Sequence, residues 1–318
     1  MRNAGKVTTL MGKWSWRGSK AEPFVESVDA GDELERELRQ AREAIDQLEG
    51  RADPTAPSYY RERQRAVRIE LIPGDVGTRP FRSMRKLADY RIAEQAGVRC
   101  PDVLGIWAHP QLIDWGSLSG DLVLKPVRGA GSRGVRMLSV SPDRIADVWQ
   151  GKDTTAAEIT DQHQRDFDRG GVPMACFVER LVRDPVHGGP SDDWKALVLG
   201  ERIGLWRQIR RDAQGQAAGV RYWGPAFEDL GEVREQPDIP LDMTMQPPAF
   251  AKELCQAATD LAGVWRRPLL RLDFFLDEHG PVFGETTPNP GGDGRYTPEL
   301  DHHLGVLVEQ AVVDLGLH

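Results

Sequence analysis

Two stretches of this chain carry residues whose types and spacing can do chemistry. The first is DLVLKPVRGAGSRGVRMLSVSP, residues 121–142, where Lys125 stands four residues ahead of Gly129, with Gly131, Ser132 and Gly134 following. Glycines let a backbone fold over a phosphate and present its N–H groups, and a lysine beside them adds a point charge. The second is RLDFFLDEHGPVFGETTPNPGG, residues 271–292, with Arg271, Asp273, Glu285 and Asn289. Two carboxylates and an amide make a hard oxygen site suited to Mg²⁺, which takes one or two carboxylates together with substrate phosphates. An arginine beside them can bind phosphate and stabilise charge on a transferred phosphoryl group.

Several familiar devices are excluded by context. Gly129, Gly131 and Gly134 spell G-x-G-x-x-G, but a dinucleotide fingerprint needs a helix after the loop, and VRMLSVSP reads as a strand. No Walker loop is present. A kinase glycine loop precedes its lysine, whereas Lys125 comes first here; H-R-D is absent and Asp273–Phe274–Phe275 is not D-F-G. The residues alone leave open a tight β-turn with a snorkelling lysine at the first stretch. At the second they leave open an ion pair on a solvated hairpin face. Asp273, however, interrupts the apolar run LLRLDFFL, where a charge needs a partner.

The elements that must position these residues follow from periodicity. Residues 121–142 predict strand, glycine turn, strand, and 269–286 a hairpin turning at Glu278–Gly280. Residues two apart on a strand share a face, so Arg271 and Asp273 project together, with Glu285 on the partner strand. Helices are predicted over 31–50 (capped by Asp32, stopped by Gly50), 83–97 (Ser83 as cap, Gly97 as stop), 249–265 and 299–316. A short helix is expected at 143–151, a polar surface stretch at 152–172, a strand at 176–182 and a long turn at 184–193. A hairpin about Gly200 is expected over 194–211, a linker at 52–57, and a short strand closing 65–73. Helices and strands alternate irregularly and hairpins dominate the second half, which predicts α+β rather than a doubly wound sheet.

Composition bounds the rest. The 318 residues carry 41 Lys+Arg and 49 Asp+Glu, a net charge of −8, without the basic footprint of a dedicated nucleic-acid binder. No apolar run reaches about 18 residues, so no membrane span is expected. The three cysteines, Cys100, Cys176 and Cys255, show neither zinc spacing nor a disulfide framework. The first twenty residues lack the apolar core of a signal peptide. Together these predict a cytoplasmic protein. The basic cluster Arg207, Arg210 and Arg211 fits either an anionic substrate or a solvated turn.

Taken in order, the blocks RKLADYRIAEQAGVRCP, LVLKPVRGAGSRGV, FVERLV, SDDWKALVLGER and RLDFFLDEHGPVFGETTPNPGG resemble the ATP-grasp superfamily, with the TupA-like proteins of teichuronopeptide and surface-glycan biosynthesis the nearest look. They cover about two-thirds of the chain, residues 82–293. The resemblance implies an α+β ATP-grasp fold whose two lobes, 81–183 and 184–318, clamp a nucleotide behind a helical and linker segment, 1–80. It implies that Lys86 and Lys125 hold nucleotide phosphates under a loop of Gly129, Gly131, Ser132 and Gly134. Glu179 would accept from the adenine amino group, with main-chain groups of Leu181 and Val182 completing the adenine contacts. Asp193 and Lys195 match the D-[YW]-K element beside the nucleotide. Arg271 would serve the phosphate and transition state, and Asp273 and Glu285 would bind Mg²⁺. The family pattern places Asn at position 287, where Thr287 stands, so Asn289 is the candidate third metal ligand.

The activity implied is an Mg-ATP-dependent carboxylate–amine ligase working through an acylphosphate, with small-molecule acid and amine substrates. A phosphotransferase on the same nucleotide site, and a non-catalytic nucleotide-binding protein, are the alternatives. The helix at 31–50 is the candidate surface for a homodimer.

Overall fold

The structure is a computed structural model that describes residues 56–71, 86–129, 132–233, 239–288, 290 and 296–317. The predicted helix at 31–50, Ser83, Gly131 and Asn289 lie outside the described residues. Two antiparallel sheets dominate. The first contains β1 (Val103–Trp107), β2 (Gly120–Pro126), β3 (Arg136–Ser141), β4 (Arg144–Asp147), β5 (Lys152–Thr154) and β6 (Cys176–Arg180), in spatial order β1-β6-β2-β3-β4-β5. The second contains β7 (Asp193–Leu199), β8 (Arg202–Arg211), β9 (Ala217–Trp223), β10 (Leu270–Asp277) and β11 (Gly280–Thr287), in order β11-β10-β7-β8-β9. Five α-helices accompany them among the described residues: α1 (Tyr59–Leu71), α2 (Lys86–Gln95), α3 (Ala156–Asp168), α4 (Ala251–Trp265) and α5 (Pro298–Asp314). The class is α+β, as the sequence predicts.

Each sheet has one apolar face because its strands alternate. On β2, Leu122 and Leu124 are fully buried and join Leu138, Val140, Val178 and Ile159 of α3 in one core. The alternate residues Val123 and Lys125, with Met137 and Glu179 paired beside Val123, face the other way. In the second sheet, Ala196, Trp206, Leu272 and Phe274 pack under α4, whose Leu254, Ala258, Leu261 and Trp265 recur at helical spacing. The opposite face of that sheet carries Asp193, Lys195, Arg207, Arg271 and Asp273. Both polar faces contribute side chains to a single cavity.

α2 ends where predicted. Gly97 has φ +78°, and the bond from Val98 N–H to the Ala93 carbonyl closes the turn at 2.9 Å. Two expectations are corrected. The residues read as a short strand within 65–73 extend a helix through Leu71, because Tyr59, Tyr60 and Ala66 bury one face of α1, which packs against α5. An added Cβ on Gly305 of α5 would meet the Ser58 backbone at 2.6 Å, so only glycine permits this approach. The short helix expected at 143–151 is instead strand β4 and a turn, since Arg144–Asp147 pairs with both β3 and β5. The stretch 152–172 is mostly exposed, as expected, and in addition holds β5 and α3, the latter started by a reciprocal Thr155–Glu158 capping box. β9 was not anticipated. The three cysteines are unpaired, and no helix among the described residues is long and apolar enough to cross a membrane.

Candidate active site

The site is built on the polar face of the second sheet. Asp273 on β10 stands directly opposite Glu285 on β11 and Lys195 on β7. Lys195 in turn faces Arg207 on β8, and Arg207 faces Tyr222 on β9. One row, Glu285–Asp273–Lys195–Arg207–Tyr222, therefore crosses the whole sheet on one side. Arg271, two residues from Asp273, forks onto its carboxylate with Nε and Nη bonds of 2.6 and 2.9 Å. Lys195 Nζ reaches the same carboxylate at 2.6 Å and that of Asp193 at 3.2 Å. Arg211 closes the set by pairing with Asp193.

Burial on its own would raise the Asp273 carboxyl, but the Arg271 and Lys195 charges outweigh it and hold the group well below the usual carboxylate range. Asp193 is lowered in the same way, burial being opposed by Lys195 and Arg211. These are buried carboxylates kept ionised by fixed cations.

α2 enters from the side, packed on β11. Lys86 forms an ion pair with Glu285, and Asp89 accepts from the Thr286 hydroxyl at 2.7 Å. One turn further, Tyr90 donates to Glu179 at 2.8 Å. Lys125 Nζ lies 2.6 Å from the other Glu179 oxygen and 5.9 Å from the Phe275 ring centroid. The predicted lysines, carboxylates and Arg271 are thus brought together although they come from six elements.

They line a cavity of about 320 Å³ between the sheets, within the range of small-molecule sites. Lys86, Lys125, Glu179, Asp193, Lys195, Arg271, Asp273 and Glu285 all contribute, as do Ser132 of the glycine turn and Leu181 and Val182 after β6. The turn joins β2 to β3 as expected. Gly129 and Gly134 have φ of +135° and +70°, and Ser132 is also left-handed at +58°. A Cβ at Gly134 would press on Val172 at 3.1 Å and meet Pro126 at 3.4 Å, whereas at Gly129 it is the positive φ that opposes a side chain. The loop is therefore anchored at its base and strained against substitution.

The three arginines of the basic cluster separate. Arg210 pairs with Asp242 at 2.6 Å, Arg211 with Asp193, and Arg207 alone joins the cross-sheet row. Sequence reasoning missed Tyr90, Phe275, Met137 and Trp149. Only Tyr90 had a readable signal, its i,i+4 relation to Lys86 on one helix face.

Among the described residues no group of three or more His, Cys, Asp or Glu side chains is placed to cage a metal. The opposed pair Asp273–Glu285 instead suits Mg²⁺, which binds through a carboxylate or two and completes its shell with phosphate and water. Four acids and five bases line the cavity, so its charged lining is close to balanced, with one cation in excess.

No protein-family profile and no curated protein matches the chain. Solved structures do. D-alanine–D-alanine ligase from Bacillus anthracis is similar with 14% identity and a TM-score of 0.47, over 73% of this chain and 68% of that one. VanG D-Ala:D-Ser ligase from Enterococcus faecalis gives 17% and 0.45, over 73% of this chain and 61% of that one. The ATP-grasp ligase PsnB, complexed with minimal precursor, gives 14% and 0.40, over 73% and 60% respectively.

Proposed function

We propose that this chain is an Mg-ATP-dependent carboxylate–amine ligase of the ATP-grasp superfamily, of the TupA-like kind, with lobes 81–183 and 184–318 following the segment 1–80. One observation carries the reading: Lys86, Lys125, Lys195 and Arg271 converge on one cavity, each set against a carboxylate. Such a set is matched to a triphosphate with its metal. Lys86, Lys125 and Lys195 would take phosphate oxygens, and the turn carrying Gly129, Ser132 and Gly134 would present N–H groups over them. Glu179 and the main chain at Leu181 and Val182 would read the base. Asp273 and Glu285 would hold Mg²⁺, which would supply neutralisation of the charge on the phosphates. Asn289 is retained as the third ligand proposed from sequence.

In this reading a substrate carboxylate oxygen attacks the γ-phosphorus. An O–P bond forms, the bond to the β-phosphate oxygen breaks, and ADP leaves with the electron pair. Arg271 stabilises charge on the transferred group. An amine nitrogen then attacks the carbonyl carbon of the acylphosphate, phosphate departs, and the amine loses a proton. The protein's part is positioning, charge stabilisation and exclusion of water.

The test is thermal stability with MgATP, MgADP, NAD or buffer alone, on wild type and Lys125→Ala. Binding to the native state raises the melting temperature by mass action. A magnesium-dependent rise with the adenine nucleotides, lost in Lys125→Ala, followed by ADP release in a screen of acids with amines, is the expected result. No rise with well-folded protein overturns the nucleotide site. An amine-independent phosphorylated product would make the chain a phosphotransferase instead.

A further inference from the structure

We infer that Tyr90 is a positioning residue that sets base selectivity, fixing the Glu179 carboxylate as an acceptor-only edge that takes an adenine amino group and refuses a guanine carbonyl. The inference rests on the nucleotide reading above and names the regulation of one contact within it. Tyr90 does not line the cavity; Glu179 does, and Tyr90 stands behind it.

Both residues are buried, with Tyr90 3% and Glu179 2% exposed. The Tyr90 hydroxyl donates to one Glu179 oxygen at 2.8 Å, and Lys125 holds the other at 2.6 Å. The phenol ring is itself fixed, edge-on to Phe177 and Phe283 with centroids 6.1 and 6.3 Å apart. Burial and the neighbouring carboxylate push the Tyr90 hydroxyl well above its ordinary range, so it stays a donor.

An ionised carboxylate has about four acceptor sites and no proton to give. Two fixed donors leave each oxygen one further acceptor site, and an amino group satisfies it. A carbonyl at the same place sets acceptor against acceptor. Selectivity therefore depends on keeping the carboxylate aimed. Lys125 is an unreliable guard, since phosphates compete for its ammonium. Tyr90 gives its one hydroxyl proton to Glu179, while its oxygen accepts from the Lys125 ammonium at 3.3 Å.

The experiment is calorimetric titration of the full chain with MgADP and MgGDP. Wild type is expected to prefer ADP by about a hundredfold or more. Tyr90→Phe keeps the ring and its packing and removes only the donor. The ADP:GDP preference should then shrink by about tenfold, with ADP affinity falling less than that. An unchanged preference overturns the inference, even if Tyr90→Phe melts lower, because that is the signature of packing alone. Should Tyr90→Phe fail to fold, Glu179→Gln serves: its amide offers both donor and acceptor, so the preference should collapse toward unity, and a retained preference overturns the inference. Wild type that binds neither nucleotide is a separate outcome, which removes the nucleotide reading and the inference with it.

Discussion

Trp149 and Gly215 bring the two sheets into contact at the cavity that both residues line. Trp149 follows β4 of the first sheet and Gly215 turns β8 into β9 of the second. A Cβ on Gly215 would lie 2.6 Å from the Trp149 indole nitrogen and 2.8 Å from the Met137 methyl. The indole N–H is buried without a hydrogen-bond partner among the described residues, while Gln216 reaches the Trp149 carbonyl at 3.4 Å. The contact is close, and it leaves that indole N–H without compensation for its burial.

Gly215 also has φ +76°. Gly215→Val should therefore cost about 1–3 kcal/mol from backbone strain and overlap together. It should also hold the sheets apart and weaken MgADP binding. Chemical denaturation and a nucleotide titration check both; a variant with wild-type stability and affinity would show that the two turns do not constrain each other.

Glu285→Gln keeps the shape of the side chain and removes its charge. If Glu285 holds the metal, ADP release should fall by about a hundredfold or more, with the fold intact and a lower melting temperature, because the buried Lys86 loses the charge of its partner among the described residues. Near-normal ADP release would end the metal assignment.

Asp273 supplies a pH signature. Its folded carboxyl is depressed, so it contributes stability that is fully present above the unfolded value of about 3.9 and is lost as pH falls through the folded value. Asp273→Asn lacks that contribution at every pH. The melting temperatures of wild type and Asp273→Asn should differ most near neutrality and converge below about pH 4. A gap that stays constant down to the acid limit would mean that Arg271 and Lys195 do not stabilise the charge.

How much was legible in the sequence depended on how many residues carried each signal. The β2–glycine–β3 unit and the β10–β11 hairpin could be read because alternation placed Leu122 and Leu124 on one face, and Arg271 and Asp273 on another. α3 was missed because only Ile159 and His163 are buried along its length, too few to show a period. Its start was nonetheless written in Thr155 and Glu158, and Thr155→Ala should lower stability by about 1 kcal/mol in denaturant titration. β4 was misread because four residues paired on both sides carry no periodicity of their own. Of the site, the charged residues stood out against apolar neighbours. Tyr90 did not, since a tyrosine on a helix looks like packing until its hydroxyl is seen on Glu179.

α2 works as a caliper. Lys86 grips Glu285 in one sheet, and Tyr90 grips Glu179 in the other. Their separation is set by four residues of helix, about 6 Å of rise and just over one turn. Sequence drift on the outer face of this helix leaves the setting untouched, but its phase is not negotiable. A single residue inserted between them would swing one grip about 100° around the axis relative to the other. Such a change would uncouple the two carboxylates while leaving every side chain of the site in the sequence, an alteration visible only to the geometry.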